Sequence, residues 1–139
     1  MVNKKDKAIL LDRKQIQKTL VRLAHEIIEK NSNLENVVII GIRTRGVVIA
    51  ERLCSVIKDI SGVSLDLGSI DVTFYRDDFE TNLGSPKIGP SDILFDITKK
   101  DLILIDDVLY TGRTIRAAME EILALGRPDR IQLAVLIDR

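Results

Sequence analysis

Two uninterrupted apolar runs, Val37-Val38-Ile39-Ile40-Gly41-Ile42 and Leu102-Ile103-Leu104-Ile105, constrain this fold more than any other feature of the sequence. Rich in β-branched side chains and lacking polar alternation, they read as strands covered on both faces. Around them, apolar residues recur at helical spacing. Ile16, Leu20, Leu23, Ala24, Ile27 and Ile28 share one face of a helix that ends at residues 31–33. Its start is marked by Asp12-Arg13-Lys14-Gln15, an acidic cap with a Gln three residues on. Val48, Ile49, Arg52, Leu53, Val56 and Ile57 mark a second helix, behind the loop Arg43-Thr44-Arg45-Gly46. A third is expected over 114–125, with Gly126 as its C′ residue and Pro128 just beyond. Residues 69–75 alternate polar and apolar and predict a half-exposed strand, and 131–137 predict a last one. Ala8-Ile9-Leu10-Leu11 reads as a short strand or a packed arm. Strands alternating with helices specify an α/β fold, a doubly wound, mostly parallel sheet flanked by helices.

A chain of 139 residues is expected to form one domain, spanning 1–139, with a flexible loop over about 76–100. That loop holds Asn82, Gly84, Ser85, Pro86, Gly89 and Pro90, and loops so long are usually functional or mobile. Cys54 has no partner, which excludes a disulfide framework and leaves it as a small buried apolar residue. The N-terminal apolar stretch is too short for a signal peptide or a membrane span, so a soluble, cytoplasmic protein is expected. Charges balance, 21 Lys+Arg against 21 Asp+Glu, which argues against coating nucleic acid by bulk charge. A small positive excess over residues 1–35 still permits a local basic face.

In a parallel sheet, ligands bind at the C-terminal ends of the strands. Two stretches are expected there: 43–46 and 106–114. The second is the more informative. A buried strand delivers Asp106 and Asp107 at its end, Val108-Leu109-Tyr110 follows, and Thr111-Gly112-Arg113-Thr114 opens a helix. Free backbone N–H groups and the positive dipole end make such a helix start an anion cradle. Gly112 admits close approach of a ligand, and the hydroxyls of Thr111 and Thr114 can donate to phosphate oxygens. Phosphate repels carboxylates, so Asp106 and Asp107 need another partner: a sugar diol, or a hydrated divalent cation. The loop therefore asks for a ligand with a sugar in the middle and a phosphate at one end. Rival nucleotide motifs fail. No G-x-G-x-x-G follows a strand, and residues 41–47 have Walker-type glycine spacing without its Lys and Ser/Thr. No His/Cys/Asp cluster has fixed metal-ligand spacing, so no protein-held metal site is expected.

This segment resembles the 5-phosphoribosyl-1-diphosphate (PRPP) motif of the type I phosphoribosyltransferases. Its wording, DDVLYTGRT followed by IRAAM, is similar to the PyrR family of pyrimidine operon attenuators that are also uracil phosphoribosyltransferases. The likeness extends over LAHEIIEKN (23–31), GIRTRGVVIAERL (41–53), IDVTFYRDD (70–78) and GRPDRIQLAVLIDR (126–139). Tyr110 stands where purine-salvage members usually carry an acidic residue. The resemblance implies that Asp106 and Asp107 bind the ribose hydroxyls, within a PRPP site running through Val108, Leu109, Tyr110, Thr111, Gly112, Arg113 and Thr114. It gives Thr44, Arg45 and Gly46 to the leaving diphosphate. Arg76, in Tyr75-Arg76-Asp77-Asp78 at the start of the long loop, matches a mobile catalytic flap that excludes water on closing.

The reaction implied is displacement of diphosphate from PRPP by uracil to give UMP, with Mg²⁺ arriving on the substrate. A second function is implied by the same family: gripping a hairpin in the pyr mRNA leader, with Arg22 and His25 on the RNA-facing surface. Val21 stands where RNA-binding members carry Thr. One alternative is an attenuator that uses the site only as a nucleotide sensor; another is a remnant acting through oligomer contacts. A homo-oligomer, dimer or larger, is implied. The family continues past the block ending Asp138-Arg139 into a hood over the base, so that segment is expected to be missing here and base recognition incomplete.

Overall fold

The computed structural model describes residues 13–43, 45–72, 91–109 and 112–138, with backbone alone described at 91, 107–109, 112–114, 137 and 138. In chain order come α1 (Arg13–Lys30), a single 3-10 turn (Leu34–Asn36), β1 (Val37–Ile42), α2 (Arg45–Ser61), β2 (Asp66–Ile70), β3 (Ser91–Asp92), β4 (Asp101–Leu109), α3 (Gly112–Leu125) and β5 (Arg130–Asp138). They form a five-stranded sheet in the order β3-β2-β1-β4-β5. Four strands run parallel, and only β3 pairs antiparallel, against β2.

The chain winds outward from the middle of this sheet in both directions. From β1 it crosses through α2 to β2; from β4 it crosses through α3 to β5. Crossovers of one hand that travel in opposite directions put their helices on opposite faces. Accordingly Val37, Ile39, Ile103 and Ile105 meet α1 and α2 through Leu20, Ala24, Ile27, Ile49, Ala50, Leu53 and Ile57. The alternate residues Val38, Ile40, Ile42, Leu102 and Leu104 meet Ala117, Ala118 and Ile122 of α3. Every residue of β1 is buried, as two-sided cover requires. Each such Ile or Leu contributes about 1.5–3 kcal/mol by leaving water.

Several boundaries differ from the sequence reading. Of the strand expected over 69–75, residues 69 and 70 end a strand that runs Asp66–Ile70, in register with β1 up to Ile42↔Ile70; 71 and 72 lie beyond it, and 73–75 fall outside the described residues. Alternation misled because both its faces are covered: Gly68, Ser69 and Ile70 are all buried. A Cβ at Gly68 would sit 2.9 Å from Ile93 Cγ1 and 3.0 Å from the Asp92 carbonyl, so the apparent weak point of the strand is where β3 closes on it. Of the loop expected over 76–100, residues 91–100 carry β3 and the buried Ile97, while 76–90 lie outside the described residues. Ala8-Ile9-Leu10-Leu11 and Asp12 also lie outside them. Helix α3 begins at Gly112 rather than 114, and α2 at Arg45, inside the expected loop. Gly126 does follow the last residue of α3, but without the positive φ that a left-handed cap has; Gly62, after α2, is the described glycine with one, at 78°. At Gly126 the need is room: a Cβ would lie 2.8 Å from Ile97 Cγ1 and 2.9 Å from Thr98 Oγ1.

The sheet edge opposite the strand C-termini is tied by polar bonds. Buried Asn31 accepts a hydrogen bond from Arg130 Nη2 (2.6 Å) and donates one to the Ile27 carbonyl (2.8 Å). The Arg130 Nε lies 3.3 Å from Asp101 Oδ1. Asn31→Ala removes a buried amide's bond to the Arg130 guanidinium and is expected to lower the unfolding free energy by about 1–3 kcal/mol in urea titration. A midpoint equal to wild type would show that the clamp contributes nothing.

Candidate functional site

Both stretches singled out in the sequence come to one place. β1 and β4 are neighbours, paired up to Gly41↔Ile105, and the chain leaves each of them into a helix. The N-termini of α2 and α3 therefore both open at the C-terminal rim of the sheet, at the switch point between strands that are followed in opposite directions. A helix start turns its first backbone N–H groups and the positive end of its dipole outward, where they favour an anion.

Close contacts set the spacing of the two cradles. A Cβ at Gly46, in the first turn of α2, would lie 2.5 Å from the Ile105 carbonyl oxygen and 3.3 Å from Asp106 Cα. At Gly41 it would meet the Gly46 carbonyl oxygen at 2.7 Å and Val47 Cα at 2.7 Å. Backbone thus packs on backbone, and α2 begins directly against the strand that carries the acids. Arg43 ties the turn to β2 as well, its N–H donating to the Ile70 carbonyl at 2.9 Å.

Asp106 is half-buried and lies within β4, not at the end of a strand stopping at 105. The reason is β5, which runs alongside and supplies partners as far as Leu109↔Asp138. On its other side β4 has outrun β1, whose pairing stops at Ile105. The backbone of Asp107, Val108 and Leu109 continues β4, and that of Gly112, Arg113 and Thr114 forms the start of α3. Arg45 and Gly46 are the first residues of α2, with Arg45 exposed. Thr44, Arg76, Tyr110 and Thr111 lie outside the described residues. Arg22 and His25 are both exposed on α1, whose contacts are with α2 and the far side of the sheet from α3.

Cys54 packs half-buried against the core on α2, and burial, with the Glu51 carboxylate beside it, pushes its thiol up to about 11. It is a packing residue rather than a nucleophile. Sequence reasoning missed Glu121, which lies fully buried on α3. Counting helix positions finds it: Ala117, Ala118, Glu121 and Ile122 share the buried face, one turn apart. Among the described residues, no helix is long and apolar enough to cross a membrane.

This sheet, with helices on both faces and its site at the rim, is the type I phosphoribosyltransferase fold, and residues 7–139 match the profile of the phosphoribosyl transferase domain. Among solved structures it resembles a purine phosphoribosyltransferase of Pyrococcus horikoshii, with a TM-score of 0.68 at 30% identity, covering 91% of this chain and 74% of that one. A hypoxanthine-guanine phosphoribosyltransferase of Bacillus anthracis superposes with a TM-score of 0.75 at 25% identity, covering 94% and 72%. Much nearer in sequence is the bifunctional protein PyrR of Bacillus mycoides, 51% identical over 136 residues, which are 96% of this chain and 76% of that protein. The chain belongs to the PyrR family of phosphoribosyltransferases.

Proposed function

We propose that this chain transfers the phosphoribosyl group of PRPP to uracil, forming UMP and diphosphate, and that it regulates pyrimidine genes by binding a leader RNA hairpin. The observation that carries the transferase reading is the start of α2 packed against β4 beside Asp106, with α3 beginning just past the end of that same strand. PRPP is an anion at each end of a pentose, and this rim has a cradle for each end. In this reading the α3 cradle, Thr111 to Thr114, takes the 5-phosphate, and Asp106 and Asp107 accept hydrogen bonds from the ribose hydroxyls. Thr44, Arg45 and Gly46 hold the diphosphate.

N1 of uracil attacks C1 of the ribose, the bond from C1 to the diphosphate oxygen breaks, and the base's proton is lost. Charge gathers on the leaving group, where Arg45, the α2 N-terminus and Arg76 oppose it. The protein's contribution is to align two ligands and to stabilise that departing charge. Mg²⁺ carried in on PRPP supplies further neutralisation at the diphosphate, whose hard oxygens suit that ion. Among the described residues no group of three or more His, Cys, Asp or Glu side chains comes together as an alternative metal site.

Uracil rather than a purine base is favoured by 51% identity with PyrR, against 30% and 25% with the purine and hypoxanthine-guanine enzymes. The test offers uracil and hypoxanthine separately with PRPP and Mg²⁺. UMP is expected from uracil and no nucleotide from hypoxanthine; product from hypoxanthine alone, or from neither base, overturns the reading.

The regulatory role rests on the family and on the exposure of Arg22 and His25 along α1. Where these side chains meet phosphates, Arg22→Ala should weaken hairpin binding and reduce the slope of log affinity against log salt by about 1. A slope identical to wild type would remove α1 from the RNA face. In this reading the protein works in the cytoplasm, as a homo-oligomer.

A further inference from the structure

Transfer as read above makes no use of Glu121, yet this side chain is 0% exposed and, among the described residues, neither of its carboxylate oxygens has a hydrogen-bond partner. It stands one turn along α3 from Ala117 and Ala118 and next to Ile122, all part of the layer that seats the helix on the sheet. The rest of that layer is Val38, Ile40, Ile42, Ile70, Val72, Ile97, Leu102 and Leu104, whose side chains offer no donor. A carboxylate ionised there would lose its hydration and gain nothing in return.

The charges around it do not help. β1 carries no ionisable residue, and on β3 Asp92 is exposed. Of β2 and the residues after it, Asp66 is exposed and Asp71 is the charge that acts on Glu121, with the same sign. In 93–100, Asp96 and Lys99 are exposed and Lys100 half-buried. β4 places Asp101 at its start, with Asp106 and Asp107 near its end. On α3 itself Arg116 and Glu120 are exposed, and Arg113, about two turns away, has its side chain outside the described residues. Burial first, and then Asp71, push the Glu121 carboxyl up to about 7.

Glu121 shares a rigid helix with Gly112, about 14 Å away along its axis. We propose that Glu121 links a proton to ligand binding: α3 seats fully on the sheet only with this carboxyl neutral, so its N-terminus holds a phosphorylated ligand more tightly below neutral pH than above it. The inference rests on the reading of that N-terminus as the PRPP phosphate site. Its sign follows from linkage. A carboxyl raised in the folded protein binds its proton before the unfolded chain does, so stability falls as pH climbs from the ordinary Glu range to about 7. Because the ligand prefers the seated helix, binding must take up a proton across the window where Glu121 ionises.

PRPP affinity is measured by calorimetry from about pH 6 to about pH 8.5, for wild type and for Glu121→Gln, which keeps the shape without the titrating proton. Wild type should weaken about fivefold or more relative to the variant as pH rises. Superimposable pH profiles overturn the proposal. Glu121→Met provides a second non-titrating side chain, and it too should flatten the profile. Should no protein bind PRPP at any pH, the phosphate reading fails on its own account; the buried proton is then read from melting temperature without ligand. Wild type should lose stability with rising pH relative to both variants, and parallel curves would sink it.

Discussion

Gly46→Ala is expected to lower kcat/KM for PRPP by about a hundredfold and stability by about 1–3 kcal/mol. Its new methyl would lie 2.5 Å from the Ile105 carbonyl oxygen and 3.3 Å from Asp106 Cα, and both obstacles are backbone of a central strand. Neither turns aside as a flexible side chain does. α2 must instead lift from β4, carrying Arg45 and the cradle at its N-terminus away from the acids. A displacement of about 1 Å between two groups that hold one small molecule is enough for a loss of that size. Steady-state kinetics and a urea titration on the same preparation check it. A variant with wild-type values for both would mean that the contact at Gly46 does not set the spacing of the site.

Removing the charge from the acids tests the proposed sugar contact. Asp106→Asn and Asp107→Asn should each lower kcat/KM for PRPP by about ten- to a hundredfold, the worth of a hydrogen bond to a charged acceptor. Asparagine keeps the size and the place in β4, so the melting temperature should barely move. Titrating the ligand distinguishes the sources of the loss. If the carboxylates accept from the ribose hydroxyls, affinity for PRPP and for UMP falls together while affinity for free diphosphate is retained. Full activity in both variants would take the pentose away from this strand.

Both-face burial made β1 and β4 legible from composition alone, and the helical stripes of α1 and α2 were equally plain. That 43–46 and 106–114 follow the C-terminal ends of strands is legible in the sequence, because ligands in parallel sheets gather there; that β1 and β4 are neighbours is added by the structure. What escaped was long-range. Asp66-Leu67-Gly68 has poor strand propensity, and only β1 on one side and β3 on the other make it a strand. Likewise Asp106 looked like a residue beyond a strand because nothing local reveals that β5 lies alongside to pair with it. Gly41 and Gly46 read as a failed nucleotide motif, whereas Gly41 lets the start of α2 fold back on β1 and Gly46 lets it meet Ile105 and Asp106 of β4, far along the chain. Glu121 was hidden by its own polarity, since a charged residue in a helix is normally assigned to water.

Because β4 outruns β1 at Ile105 and is accompanied past that point by β5, Asp106 has a strand on one flank only, with the start of α2 closing on the other at Gly46. Edge strands breathe more readily than central ones, so in the proposed reading the placing of the two carboxylates depends on the outermost strand of the sheet. Drift in β5 would then loosen the hold on a pentose while leaving the interior of the protein untouched.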